Sequence, residues 1–146
     1  MNPALAPACR SKLVAYSVAA ACGPLGAWLL LQIGLGLRSA ACAPGALLTL
    51  LVIAPIAEET VFRLGLHNWL AAKWNAQVGC LSLANVLVAI VFGSLHALHQ
   101  GSALLLLTAA PALVFGWMWE LSGRRLMVPV LLHAWYNLCI ALASCP

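Results

Sequence analysis

The sequence predicts an all-α fold, a polytopic membrane helix bundle of about five transmembrane helices. Three observations carry this. Of 146 residues, 64% are hydrophobic and only 7% charged, against about 25% charged in an ordinary soluble domain, and the mean hydropathy is +1.02. The apolar residues fall into long runs, each near the ~20 residues a helix needs to cross a bilayer core. The basic residues sit mainly between those runs, where they set orientation. A formal net charge of +4 is too small and too dispersed for a nucleic-acid partner. The lipid bilayer is the partner this composition predicts, and the length fits one integral-membrane domain over 1–146, with a first span and turn at 13–45 and a core at 46–143.

Met1 to Lys12 is a basic lead without the apolar run of a signal peptide. The first span, Leu13 to Leu37, holds Gly23-Pro24, which predicts a kink because proline has no N–H, and Gly34-Leu35-Gly36, which predicts close helix packing. Arg38 to Gly45 is a turn punctuated by Pro44-Gly45. The second helix runs from Ala46 to near Leu70 and ends in an interfacial group of His67, Asn68, Trp69, Lys73 and Trp74. The third occupies Val78 to Leu98, the fourth Ser102 to Leu121 with Pro111 inside, and the fifth Leu126 to Ala143. With the N-terminus inside, Arg10, Lys12, Lys73, Arg124 and Arg125 face the cytoplasm and Arg38 the outside, which puts the C-terminus outside. The six cysteines include no C-x-x-C pair, so most read as small buried hydrophobes. Cys42 and Cys145 share one predicted side of the membrane, where a disulfide between them is one option.

Against this background the stretch P-I-A-E-E-T-V-F-R, Pro55 to Arg63, is costly. It holds two of the three acidic residues in the chain, Glu58 and Glu59, together with Arg63. Each unpaired charge at mid-membrane costs about 2.5–3.5 kcal/mol. On a helix Glu59 and Arg63 are i,i+4 in the favoured order and predict a structural ion pair. Glu58 lies about 100° round the helix and has no such local partner. It must find one on another helix or in a water-filled cavity, which makes it the candidate for chemistry.

Two further helices carry polar groups at helical spacing. Phe92 and His96 share a face in F-G-S-L-H, where the ring can pack beside the imidazole and limit water. His133 and Asn137 share a face in H-A-W-Y-N. A carboxylate, two imidazoles and an amide are thus offered by helices 2, 3 and 5, and the active site is expected between them. Amide hydrolysis needs a base for water, donors for the oxyanion and a proton for the leaving amine. Glu58 can take and return the proton while His96 holds the same water, and His133 and Asn137 can donate to the oxyanion. Glu59, Arg63 and Phe92 support them. No serine or cysteine nucleophile, and no cofactor or metal, is required. His67 and His99 read as interfacial, and Glu120 as a surface salt bridge beside Arg124 and Arg125. One conflict stands: on straight helices His96 lies about 10–15 Å nearer the outer face than Glu58 and His133, unless the third helix starts late, near Asn85, or bends at Gly93-Ser94.

The three motifs in this order, E-E-x-x-x-R at Glu58 to Arg63, F-x-x-x-H at Phe92 to His96 and H-x-x-x-N at His133 to Asn137, resemble those of the CPBP family. That family covers Rce1-like CAAX prenyl endopeptidases (CAAX protease), bacteriocin-processing relatives and the Abi proteins. The resemblance spans 55–137 and implies a glutamic-type intramembrane endopeptidase acting on a membrane-associated peptide or protein. It assigns water activation to Glu58 with His96, a structural or tuning role to Glu59 and Arg63, and oxyanion stabilisation to His133 and Asn137. One departure is Leu64-Gly65 after Arg63, where many relatives have glycine directly. The compact chain looks like prokaryotic members of the plasma (inner) membrane that process bacteriocin-like peptides, act in immunity, or cleave C-terminal sorting tags of the JDVT type. The residues leave three alternatives. Glu58, His96 and His133 could ligate zinc in a metal-dependent protease, although H-E-x-x-H is absent. The cluster could bind a peptide without cutting it, as in a non-hydrolytic immunity or chaperone-like membrane protein. Glu58 could serve a small proton-coupled transporter.

Overall fold

Five helices long and apolar enough to cross a membrane organise the chain. In the computed structural model, which describes residues 12–34 and 42–145, they are α1 (Lys12–Gln32), α2 (Pro44–Lys73), α3 (Leu83–Gln100), α4 (Ala103–Leu121) and α5 (Met127–Ser144). The N-terminal lead with Cys9 and Arg10, and the turn residues Gly36 and Arg38, lie outside the described residues. Leu13, Leu98 and Leu142 are among the most exposed side chains, the arrangement expected where lipid is the solvent. The interior is instead built from small residues such as Ala84 and Ala112, a few aromatics, and a polar set of Glu59, Arg63, His67, Asn85 and His133.

Two prolines explain how α5 is tied to its neighbours. Pro24, inside α1, has no N–H for the carbonyl four residues earlier, Ala20. Trp135 Nε1 donates to that carbonyl at 2.9 Å, and Tyr136 Oη donates to Ala19 O at 2.7 Å. The helices can approach this closely because Gly23 has no side chain: a Cβ there would lie 3.0 Å from Trp135 Nε1. Close packing of α1 is therefore found at Gly23, where it is made with α5.

In α2 the backbone widens to π-helical turns over Thr49–Ile53 and Thr60–His67. Ala54 N–H donates to Thr49 O, five residues back. The next bond in that register would come from Pro55 to Leu50 O, and Pro55 has no N–H to give. Asn137 Nδ2 donates to the freed Leu50 carbonyl at 2.8 Å. A disulfide joins Cys42, just ahead of α2, to Cys145, just after α5, with Cα atoms 5.7 Å apart.

The sequence placed the start of the third helix at Val78, and here the structure differs. Residues Gln77–Val78 (β1) and Leu81–Ser82 (β2) form a short antiparallel hairpin. The helix begins at Leu83, with Ser82 Oγ accepting from Asn85 N–H at 3.0 Å as an N-cap. It runs unbroken through Gly93-Ser94 to Gln100 and stops at Gly101, whose φ of 66° is left-handed. The late start is thus the option realised. Gly93 lets α4 pass close by, since a Cβ there would sit 2.8 Å from Leu106 O. Phe62, Val88, Ala89, Phe92 and Ala112 form the apolar cluster joining α2, α3 and α4.

Candidate active site

Arg63 and Glu59 are both wholly buried, and Arg63 Nε donates to Glu59 Oε2 at 2.7 Å. The predicted ion pair is therefore formed, but it is one link in a longer chain. Arg63 Nη2 also donates to Ala112 O on α4 at 3.1 Å. On its other oxygen, Oε1, Glu59 accepts from His133 Nδ1 at 3.0 Å. Giving Nδ1 a carboxylate acceptor puts a proton on that nitrogen and aims Nε2 away from Glu59. Nε2 faces Glu58 Oε2 at 3.9 Å. That oxygen is buried and has no hydrogen-bond partner among the described residues, although the Glu58 side chain as a whole is 30% exposed. Glu58 is thus the open carboxylate and Glu59 the saturated one.

Aromatic packing fixes the two imidazoles. His133 stacks on Phe115 with ring centroids 4.9 Å apart and meets Phe92 edge-on at 6.1 Å. His96 stacks on Phe92 at 4.3 Å, and its Nδ1–H donates to Phe92 O at 3.0 Å. Its Nε2 is left as the acceptor nitrogen. Phe92 therefore touches both rings and links α3 to α5. It also packs edge-on against Phe62 of α2 at 5.0 Å. Asn137, one turn beyond His133, gives Nδ2 to Leu50 O and so binds α5 to α2 ahead of the two glutamates in the chain. The seven residues singled out by the motifs lie on α2, α3 and α5 as expected, with Glu58, Glu59, Arg63 and His133 linked through Phe92 to His96, while Asn137 bonds Leu50 O instead. Among the described residues, no group of three or more His, Cys, Asp or Glu is placed to hold a metal ion.

A second polar group was read differently from sequence. His67, expected at the interface, has no exposed surface and pairs through Nε2 with Glu120 Oε1 at 2.9 Å. Ser82 Oγ donates to the same Glu120 oxygen. Glu120 was assigned to the Arg124/Arg125 turn because those arginines adjoin it in sequence. Its hydrogen-bonding partners are 53 and 38 residues away, and only the fold brings them together. Asn85, which the sequence offers only as a late start for the third helix, is fully buried next to Arg63's neighbour Gly116.

The family model of type II CAAX prenyl endopeptidases, Rce1-like, matches residues 40–139, a range that contains every site residue above. No curated protein and no solved structure matches the chain. A multi-pass helix bundle with two glutamates inside one membrane-spanning helix, two histidines on other spans and this match has one family assignment: the chain belongs to the Rce1-like type II CAAX prenyl endopeptidase family, a family of membrane proteases.

Proposed function

We propose that this chain is an intramembrane glutamic-type endopeptidase that cuts a membrane-proximal peptide bond with Glu58 as general base. The observation that carries this reading is the orientation of His133, whose Nδ1 is held by Glu59 while Nε2 lies 3.9 Å from the unpartnered Glu58 Oε2. That separation is too long for a direct hydrogen bond and suits one water oxygen touching both groups. Glu58 takes a proton from that water as its oxygen attacks the scissile carbonyl carbon. His96 Nε2, free to accept, holds the second water hydrogen. Charge develops on the former carbonyl oxygen, where the remaining Asn137 N–H donates, together with Nε2–H of His133 in the form of the ring that carries a proton on both nitrogens throughout, so that no water proton is drawn to it. Glu58 then delivers its proton to the amide nitrogen, the C–N bond breaks, the hydrogen left on the new carboxyl group passes to His96 Nε2 and on to water, and a carboxylate and an amine leave.

Substrates of this reading are peptides or proteins that carry their cut site at the membrane, with bacteriocin-like peptides and C-terminal sorting tags of the JDVT type as the first to try. We also place the Cys42–Cys145 end of the bundle outside the cell. Disulfides persist in oxidising compartments, and Lys73, Arg124 and Arg125 lie at the ends of α2 and α4, opposite the disulfide end, as the positive-inside rule asks.

The test uses purified protein in lipid vesicles with such peptides, products being identified by mass spectrometry. Cleavage is expected from the wild type, unchanged by a strong chelator, and reduced about a hundredfold or more in Glu58→Gln and His96→Ala. Chelator-sensitive cleavage restored by zinc would instead assign a metal-dependent protease. Peptide binding without cutting, retained in Glu58→Gln, would assign the non-hydrolytic immunity or chaperone-like reading.

A further inference from the structure

Arg63 carries five N–H donors into a site without exposed surface. Nε is taken by Glu59 and Nη2 by Ala112 O, which leaves Nη1 buried without a partner among the described residues. On α3, Asn85 is as deeply buried. Its Nδ2 donates to Leu113 O at 3.0 Å, and its Oδ1 is the other half of the problem, buried and unpartnered. Both orphan atoms converge on one glycine of α4: a Cβ on Gly116 would collide with Asn85 Oδ1 and lie 2.9 Å from Arg63 Nη1. A spare guanidinium donor and a spare amide oxygen are each costly alone and complementary together. The bond to Leu113 fixes which way the amide faces, because the flipped amide would turn its NH₂ toward a cation and its oxygen toward a carbonyl. Asn85 is also anchored by its backbone, which donates to the Ser82 cap, and Ser82 is bonded to Glu120.

We infer that Asn85, seated over Gly116, is a positioning residue for the reaction proposed above. Its Oδ1 faces the free edge of the Arg63 guanidinium across Gly116, close enough to oppose its displacement although no direct hydrogen bond joins the two; Arg63 holds Glu59, and Glu59 holds His133 with Nε2 toward Glu58. The amide thus does two things an apolar residue could not: its Nδ2 donates to Leu113 O and its Oδ1 is turned toward the guanidinium. The catalytic consequence rests on the endopeptidase reading, whereas the effect on His133 does not.

The experiment follows His133 directly, by nitrogen NMR of histidine-labelled full-length protein in lipid, with its signals assigned by their loss in His133→Gln. Wild type is expected to carry the Nδ1–H form. Asn85→Leu, which keeps the branched shape and removes the acceptor, and Gly116→Ala, which crowds both the amide and the guanidinium, should each lower that form at least about twofold, with the signal of exposed His99 unmoved. On any peptide the wild type cuts, kcat should fall about tenfold or more and KM by less than about threefold. Should Asn85→Leu fail to fold, Asn85→Ala, which removes the acceptor without added bulk, decides, since a Cβ on Gly116 also crowds Arg63 Nη1 directly. If His133 keeps its Nδ1–H form, the positioning role is wrong whatever the activity does. If His133 responds but even the wild type cuts no peptide, the positioning role stands and the endopeptidase reading falls.

Discussion

The bundle contains two carboxylate–imidazole pairs, and they differ in what is left over. Near the ends of α2 and α4, Glu120 Oε1 accepts from both His67 and Ser82, so the pair pins α2, the start of α3 and the end of α4 together. In the middle of α2, Glu59 is occupied in the same way by Arg63 and His133. There, however, the second nitrogen of the histidine confronts another carboxylate, Glu58, whose Oε2 has no hydrogen bond among the described residues. His67 also has a spare nitrogen, Nδ1, yet its one ion-pair partner among the described residues is Glu120. Buried charge alone therefore does not mark the reactive place. In the proposed mechanism the mark is a saturated pair that aims a histidine at an unsaturated carboxylate.

The heaviest blow to this contrast is Arg63→Met, which leaves Glu59 buried beside His133 without its cation. Breaking a buried pair from one side costs about 3–5 kcal/mol, and the loss is expected in thermal unfolding of the protein in detergent. An unfolding midpoint equal to wild type would mean that Glu59 does not depend on Arg63. Next comes Cys42→Ser, which frees the start of α2 from the end of α5. Closing so long a loop is worth about 2–4 kcal/mol, so a reducing agent should lower the wild-type midpoint by the same amount and leave the variant unmoved. The smallest is His67→Leu, expected to cost about 1–3 kcal/mol because Glu120 loses one of its donors. Turnover per folded molecule should stay within about twofold, and a loss as deep as that of His133→Gln would erase the distinction between the pairs.

Much of this was legible in the chain. The five spans follow from apolar run length, and the Glu59–Arg63 pair from helical spacing in a solvent that punishes lone charges. Cys42 and Cys145 were on one side as soon as the spans were counted. The partner of His133 was not legible: Glu59, already assigned to Arg63, has a second oxygen, and only packing of α5 on α2 reveals who takes it. Glu120 misled because adjacent arginines in sequence outweighed a histidine 53 residues away. The depth of His96 turned on a two-residue hairpin, Gln77–Val78 with Leu81–Ser82, whose Val-Gly-Cys-Leu composition reads as continuing helix. Asn137 looked like a site amide alone, because its bond to Leu50 O depends on the π-helical register of α2, which periodicity at 3.6 residues does not anticipate.

The most direct measurement sets Glu58→Gln beside Glu120→Gln on one membrane-proximal peptide in the same vesicles, with kcat scaled to folded protein. Each variant neutralises a carboxylate next to a histidine, so burial and charge loss are matched as closely as the chain allows. A fall of about 10²–10⁴-fold for Glu58→Gln, with Glu120→Gln within about threefold of wild type, is the predicted result. Equal losses in the two, or full activity in Glu58→Gln, would contradict a mechanism that runs through Glu58.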